Sequence, residues 1–259
     1  MAVELDVVQP VLLAPGEGEL VNERGEHTVR LLFSHDLLDV TWSQFGPGER
    51  GAEPHVHHKH TDSFYVLDGE VTFRIGPDLE PVAASAGTFV AVPPDVIHGF
   101  DNDSPQRARF LNFHAPSGGF AQYIRGESPG FDSYDPPEDG GASPDTAIVT
   151  PPGGGERLAR GNRAHFVKAQ LPHLAAIELS FEPGFEGVDP HSHDDHVDSF
   201  FVLDGEVEFI FGVGGPGTFA AAPPGAVHGF KISGDRAPIS LLNIHAPDTG
   251  FTDRLRRSD

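Results

Sequence analysis

The chain has 259 residues, a formal charge of −22 and no cysteine. That charge repels phosphate backbones and anionic membrane surfaces, so neither nucleic acid nor a membrane is expected as a partner. The lack of thiols excludes disulfides and thiolate metal sites.

The first twenty residues, MAVELDVVQPVLLAPGEGEL, hold no basic segment followed by a long apolar run. No later stretch is apolar enough to suggest a membrane helix, and the expectation is a soluble, cytoplasmic protein. With 38% hydrophobic residues, 31 Gly and 24 Pro, the composition suits short strands joined by turns, and the expected fold class is all-β. SFYVLDGEVTF is rich in β-branched and aromatic residues, and its Asp68-Gly69 step reads as a tight hairpin turn. TFVAVPP and ARFLNFHAP read as further strands. Residues 126–146, GESPGFDSYDPPEDGGASPDT, read as a linker that Phe131 and Tyr134 pin to a surface. The end of the chain, TGFTDRLRRSD, suits one short helix.

The strand patterns before the linker return after it. PHVHHKHTDSFYVLDGEVTF, from Pro54, reappears as PHSHDDHVDSFFVLDGEVEF, displaced by 136 residues. The same displacement pairs Leu12 with Ile148 and Phe45 with Phe181. GTFVAVPPDVIHGF returns as GTFAAAPPGAVHGF at a displacement of 130, and LNFHAPSGGF as LNIHAPDTGF at 131. Two domains of residues 1–125 and 147–259 follow, separated by the linker at 126–146.

Ten of the 15 histidines fall in five equivalent pairs: His55 with His191, His57 with His193, His60 with His196, His98 with His228, and His114 with His245. In an extended segment His55 and His57 project to one side, as do His191 and His193. Asp62 or Asp198 opens the next strand, where a carboxylate meets the pair across the hairpin. His98 or His228 then arrives from a later strand. Three imidazoles and a carboxylate suit Fe, Mn, Ni, Co, Cu or Zn rather than calcium. His60 and His196 share strand parity with the aspartates, so they are candidate ligands as well, against the alternative of a supporting or solvent-facing loop histidine. Asn112 with His114, and Asn243 with His245, share one strand face and either line the pocket or cap a barrel end by hydrogen bonding, the second being the favoured reading. His27, His35, His165 and His173 lack repeat partners and are assigned no function, and His58 reads as surface.

These residues resemble the cupin superfamily. Its first motif runs Gly, five residues, His-x-His, three or four residues, Glu, six residues, Gly. Here His55, His57, Asp62 and Gly69 follow that spacing, and His191, His193, Asp198 and Gly205 follow it again. The second motif is matched by Gly87, Pro93, His98 and Asn102, and by Gly217, Pro223, Gly225 and His228. Both halves replace the glutamate by aspartate, and Gly48 and Gly184 lie one residue further from the first histidine than the pattern asks. Asp95 replaces a glycine, which Asp tolerates better than most residues, and Ile232 stands where the last Asn would be. The resemblance implies two tandem cupin (double-stranded β-helix, jelly-roll) barrels, each with a divalent transition metal.

Two-domain cupins of this kind include quercetinase-type dioxygenases. The leading expectation is therefore a metal-dependent dioxygenase acting on a small aromatic or enolisable substrate, with Asp62 or Asp198 accepting the substrate's proton. The alternatives are a manganese-dependent decarboxylase of the oxalate type, for which Arg74 is a candidate cation, and a non-catalytic small-molecule-binding cupin. A homo-oligomer is compatible with each. Cavity size separates them: aryl-sized and apolar for the dioxygenase, tight and polar for the decarboxylase, closed for a structural role.

Overall fold

A computed structural model describes residues 8–232 and 238–257. The first seven residues, part of the N-terminal segment scanned for a leader, lie outside the described residues, as do the last two of the C-terminal helical segment. No helix among the described residues is long and apolar enough to cross a membrane. The chain is all-β apart from short helical turns, and it forms two compact units.

The first unit comprises Gly18–Gly155 with Leu171–Leu174. Its larger sheet has seven strands in the order Ile148–Thr150, Phe89–Val92, Thr61–Asp68, Ala108–Ala115, Leu38–Phe45, His27–His35 and Glu19–Arg24. A three-stranded sheet, ordered Glu80–Ser85, Glu70–Ile75, His98–Asp101, supplies the other wall. Phe45, Phe64, Phe73 and Phe110 pack between the walls, and period-two alternation selects them: Phe64 and Val66 turn inward on one strand, Ala108 and Phe110 on its neighbour. Asp62 shares the inward face of Phe64, so the carboxylate is carried to the end of the apolar core.

The second unit takes the chain up to Glu17, Glu156–Gln170 and the chain from Ala175 onward. Its seven-stranded sheet runs Val11–Leu13, Phe219–Ala222, Val197–Asp204, Ile239–Ala246, Leu174–Phe181, Arg163–Leu171 and Glu156–Arg160. A four-stranded sheet, Gly187–His191, His228–Lys231, Val207–Phe209 and Gly212–Gly214, faces it. The core again holds four phenylalanines, Phe181, Phe200, Phe209 and Phe230. The edge strands are exchanged between the repeats. Leu12 pairs with Ala220 in the second unit's sheet, whereas Ile148 pairs with Ala91 in the first unit's. The repeat register alone had put Leu12 with the residues that follow it. A short edge strand is bonded on one side only, and its sequence does not say which sheet it joins.

The hairpin expected at Asp68-Gly69 does not form. Thr61–Asp68 pairs with strands of the seven-stranded sheet and Glu70–Ile75 with those of the other, so the chain changes walls at this step. Gly69 has φ 73°, and a Cβ there would lie 2.3 Å from the Arg107 carbonyl oxygen. The glycine is thus required by a sharp bend and a close approach, but the bend is a corner between sheets. Asp204-Gly205 makes the same corner, with φ 83°.

A candidate metal centre in each unit

The His-x-His segment is held against the strand that carries the last histidine. His55 forms a bridge with His98, and His191 pairs in register with His228, so first and last histidines are cross-strand neighbours. Asp62 does not meet the pair across a hairpin, because it comes from the opposite sheet. A turn after the Pro-Pro step fixes the middle histidine: the Asp95 N–H donates to the His57 carbonyl oxygen at 2.7 Å, and Gly225 does the same for His193 at 2.7 Å. Both turn residues have positive φ, 66° for Asp95 and 83° for Gly225, so Asp takes the glycine's conformation.

His55, His57, Asp62 and His98 converge so that one ligand atom from each lies within 4.8 Å of the others, and His191, His193, Asp198 and His228 do likewise. Bonds of about 2.1 Å to a metal place neighbouring ligand atoms roughly 3–4 Å apart. In the first unit His55 Nε2 and His57 Nε2 are 3.2 Å apart, and His98 Nε2 is 3.4 Å from Asp62 Oδ2. In the second, His228 Nε2 lies 3.2 Å from Asp198 Oδ2.

The tautomers complete the argument. His55 Nδ1–H donates to the Glu53 carbonyl, His57 Nδ1–H to that of Asp132, and His98 Nδ1–H to that of Val96. All three Nε2 atoms then turn bare lone pairs toward one another and toward a carboxylate. Without a cation that arrangement is repulsive, and with one it is a ligand set already oriented by its supporting bonds. The donor chemistry fits a divalent transition metal in each unit.

Burial acts on several of these residues. It pushes His55 and His193 down to about 4. Burial alone would raise Asp198, but His245, His228 and Asn243 outweigh it and hold the carboxyl down to about 2. Asp62 is likewise held well below the carboxylate range, by His114, His57 and His98 against the effect of burial. His228 moves the other way: its bond to Asp198 overcomes burial and raises it.

A pH dependence of the metal-free protein follows. Unfolded histidines take up protons below about pH 6.5, whereas His55, His60 and His193 in the folded chain resist protonation until about 4. Within that window the unfolded state binds more protons, so stability falls as pH falls. His228 contributes in the opposite sense, one group against six, since His114, His173 and His245 are lowered as well. The melting temperature of the metal-free protein, followed by circular dichroism, should drop between pH 6.5 and 4, with metal loading moving the onset lower.

His60 and His196 are not drawn into these four-residue sets. His60 Nδ1–H donates to Asp132 Oδ2 at 2.9 Å, while its Nε2 faces His114 Nδ1 at 2.9 Å. His114 Nε2–H donates to Asn112 Oδ1 at 2.9 Å, and Asn112 Nδ2 donates to Asp62 Oδ1. The second unit repeats the chain: His196 Nδ1–H to Asp195 at 2.7 Å, His196 against His245 at 3.2 Å, His245 to Asn243 at 3.0 Å, and Asn243 to Asp198. Each asparagine therefore ties one carboxylate oxygen and leaves Oδ2 facing the imidazoles. The Asn-x-His pairs are part of the centre rather than a cap at a barrel end. Register places them there, because His114 lies opposite Asp62 and His245 opposite Asp198. His60 also comes within 4.8 Å of His57 and His114 as a three-histidine group; with its Nδ1–H given to Asp132, its Nε2 lone pair faces that of His114 Nδ1.

The two centres differ in access. In the first unit the segment read as a linker closes over the site: Phe131 packs against His57, with ring centroids 5.7 Å apart, and Asp132 holds His57, His60 and the Lys59 N–H. Tyr134 pairs with Val56 through the backbone and packs on the His58 ring, so both aromatics do pin the segment. The His57 side chain is 1% exposed and its counterpart His193 24%. The second centre opens into a cavity of about 330 Å³. Alternate residues of successive strands reach it: Arg163 and His165, Leu179 and Phe181, Asp198 and Phe200, Asn243 and His245. Phe185, Phe230, Phe251 and Arg254 complete much of the wall, and Phe251 stacks on His245 at 4.7 Å.

Several of these residues escaped sequence reasoning. Phe251 carried a signal, since it ends the third repeated block opposite Phe120, which stacks on His114 at 3.8 Å. His165, with no repeat partner, nevertheless lines the cavity. Phe200 belongs to the core cluster and is also cavity wall. Arg74, the candidate cation for a dicarboxylate, pairs with Asp103 at 2.9 Å and does not line this cavity.

Residues 41–114 and 177–245 each match the family described as Cupin domain, together more than half the chain. The chain belongs to the cupin family. Quercetin 2,3-dioxygenase of Bacillus subtilis (strain 168) is 29% identical over 101 residues, a stretch covering 38% of this cupin and 29% of that relative. The chain thus spans less than a third of that relative's length. Among solved structures, a variant of oxalate decarboxylase from Bacillus subtilis superposes with a TM-score of 0.60 at 16% identity, covering 93% of this cupin and 78% of that chain. A putative glyoxylate induced protein from Pseudomonas aeruginosa gives 0.66 at 15% identity, covering 91% and 88%. At such identities the structural likeness establishes the two-cupin fold.

Proposed function

We propose that this bicupin is a metal-dependent dioxygenase of a small aromatic or enolisable substrate, and that its second centre performs the reaction. The observation that carries this reading is the cavity of about 330 Å³ on the second ligand set, near the small end of ligand pockets, with five phenylalanines and two leucines among its lining residues. Such walls favour a planar apolar ring, and a two-carbon dianion would leave them unfilled. The relationship to quercetin 2,3-dioxygenase over 101 residues agrees with this class.

His191, His193, His228 and Asp198 would hold the metal, with Oδ2 as the aspartate's ligand atom. A divalent metal there supplies Lewis acidity toward a substrate hydroxyl and an open position for dioxygen. Among the described residues Asp198 is the only carboxylate lining the cavity, and it is our candidate to accept the hydroxyl proton. A carboxylate held as low as about 2 is a weak base, which restricts the reaction to substrates whose hydroxyl is strongly acidified on binding. Asp62 has the same chemistry inside a centre closed by Phe131, where we assign the metal a structural role.

Oxygen uptake measured with flavonols, catechols and 1,3-diketones tests the proposal, with carbon dioxide release from oxalate as the competing assay. Oxygen consumption with at least one enolic or phenolic substrate is expected. Carbon dioxide from oxalate without oxygen uptake would replace this reading by the decarboxylase.

A further inference from the structure

The internal repeat allows each centre to serve as a control for the other, and one pair of positions departs sharply between them. His27 and Arg163 open equivalent strands, His27–His35 and Arg163–Leu171, 136 residues apart. The same displacement pairs Glu49 with Phe185. In the first unit the basic group has an acidic partner, His27 Nδ1 lying 2.8 Å from Glu49 Oε1. In the second the base is the permanently charged guanidinium of Arg163, and the acid has become the Phe185 ring, whose centroid lies 5.9 Å from the guanidinium carbon. No carboxylate among the described residues lies within ion-pair distance of Arg163. Its half-buried side chain borders the cavity of the second centre.

The charge around that cavity also runs against the rest of the molecule. The chain carries 39 acidic residues against 17 lysines and arginines, yet among the described residues the cavity is lined by two arginines and a single carboxylate. That carboxylate, Asp198, is already engaged by Asn243 and the ligand imidazoles. Arg254 donates to the Thr249 carbonyl oxygen at 3.1 Å, which leaves Arg163 as the cation facing the cavity without an anionic counterpart. A guanidinium beside apolar walls is a fork for a carboxylate, and binding one there sets an acid beside this base, as Glu49 stands beside His27 in the first unit.

We propose that the substrate of the second centre carries a carboxylate on its aromatic or enolic skeleton, and that Arg163 receives it in the place Glu49 takes beside His27. The substrate's reacting hydroxyl rests on the dioxygenase reading; the carboxylate does not. Calorimetric titration of the metal-loaded full chain with benzoate and with benzamide, which share a ring and differ in charge, provides the test. A metal ion alone also favours benzoate, so Arg163→Gln is the deciding variant: benzoate affinity is expected to fall about 10–100-fold, the size of a charged hydrogen-bonding pair, with benzamide unchanged. If that variant does not fold, Phe185→Glu rebuilds the first unit's acidic partner and should weaken benzoate by about tenfold or more. Benzoate binding that is undetectable at millimolar concentration, or unaffected by the variant measured, overturns the proposal. Arg163-dependent benzoate binding with no oxygen uptake on any substrate keeps the carboxylate site and removes the dioxygenase. Oxygen uptake from neutral substrates with benzoate binding indifferent to Arg163 does the reverse.

Discussion

His193→Ala is expected to reduce oxygen uptake more than about 100-fold, whereas His57→Ala should leave turnover within a few-fold of the parent. The two substitutions remove equivalent atoms. Each takes one of four ligands from a convergent set, and each should lower bound metal from two equivalents per chain toward one. What separates them is access, since His193 borders the cavity and His57 is sealed under Phe131 and Asp132. Losing a direct ligand exceeds the roughly 10–100-fold cost typical of a supporting residue. Elemental analysis beside the oxygen electrode distinguishes the outcomes. Loss of turnover in His57→Ala with the second metal retained would move catalysis to the first centre.

Asn243→Leu should weaken metal binding at the second centre by about 10–100-fold while the protein still folds. Leucine keeps the shape of asparagine but cannot donate to Asp198 Oδ1 or accept from His245 Nε2. The carboxylate is then free to turn, and the buried imidazole loses its partner at a cost of about 1–3 kcal/mol. The visible spectrum of the cobalt-loaded protein reports the change in coordination, and competition with a chelator reports affinity. An unchanged spectrum and affinity would show that the asparagine merely fills space. The corresponding substitution at Asn112 should act on the first centre alone.

The convergent histidine–aspartate sets were legible in the sequence because they are short-range patterns copied twice. His-x-His, a spaced aspartate and a later histidine need no knowledge of distant contacts. Other features depended on which strands become neighbours. His114 and His245 were visible as repeated residues, but their role required the register that sets them opposite Asp62 and Asp198. His60 and His196 had the parity of ligands, and only the arrival of a second imidazole showed how their ring nitrogens are used. Asp132 sits in a Gly- and Pro-rich stretch whose composition resembles a spacer, although its carboxylate and carbonyl support three positions of the first centre. The cavity depends on differences between the halves, such as Phe185 for Glu49, which a search for repeated residues passes over.

The exchange of edge strands bears on how the chain acquires its fold during synthesis. The first unit's large sheet is unfinished until Ile148–Thr150 has emerged, after the whole connecting segment, and Phe89–Val92 presents a bare apolar edge in the interval. Val11–Leu13 must remain unpaired until Phe219–Ala222, far later in the chain, has been synthesised. Neither half can be completed as an independent module from its own repeat. The fragment 1–125 alone would lack Ile148–Thr150, and the fragment 147–259 alone would lack Val11–Leu13, so each would leave an edge of its large sheet uncovered.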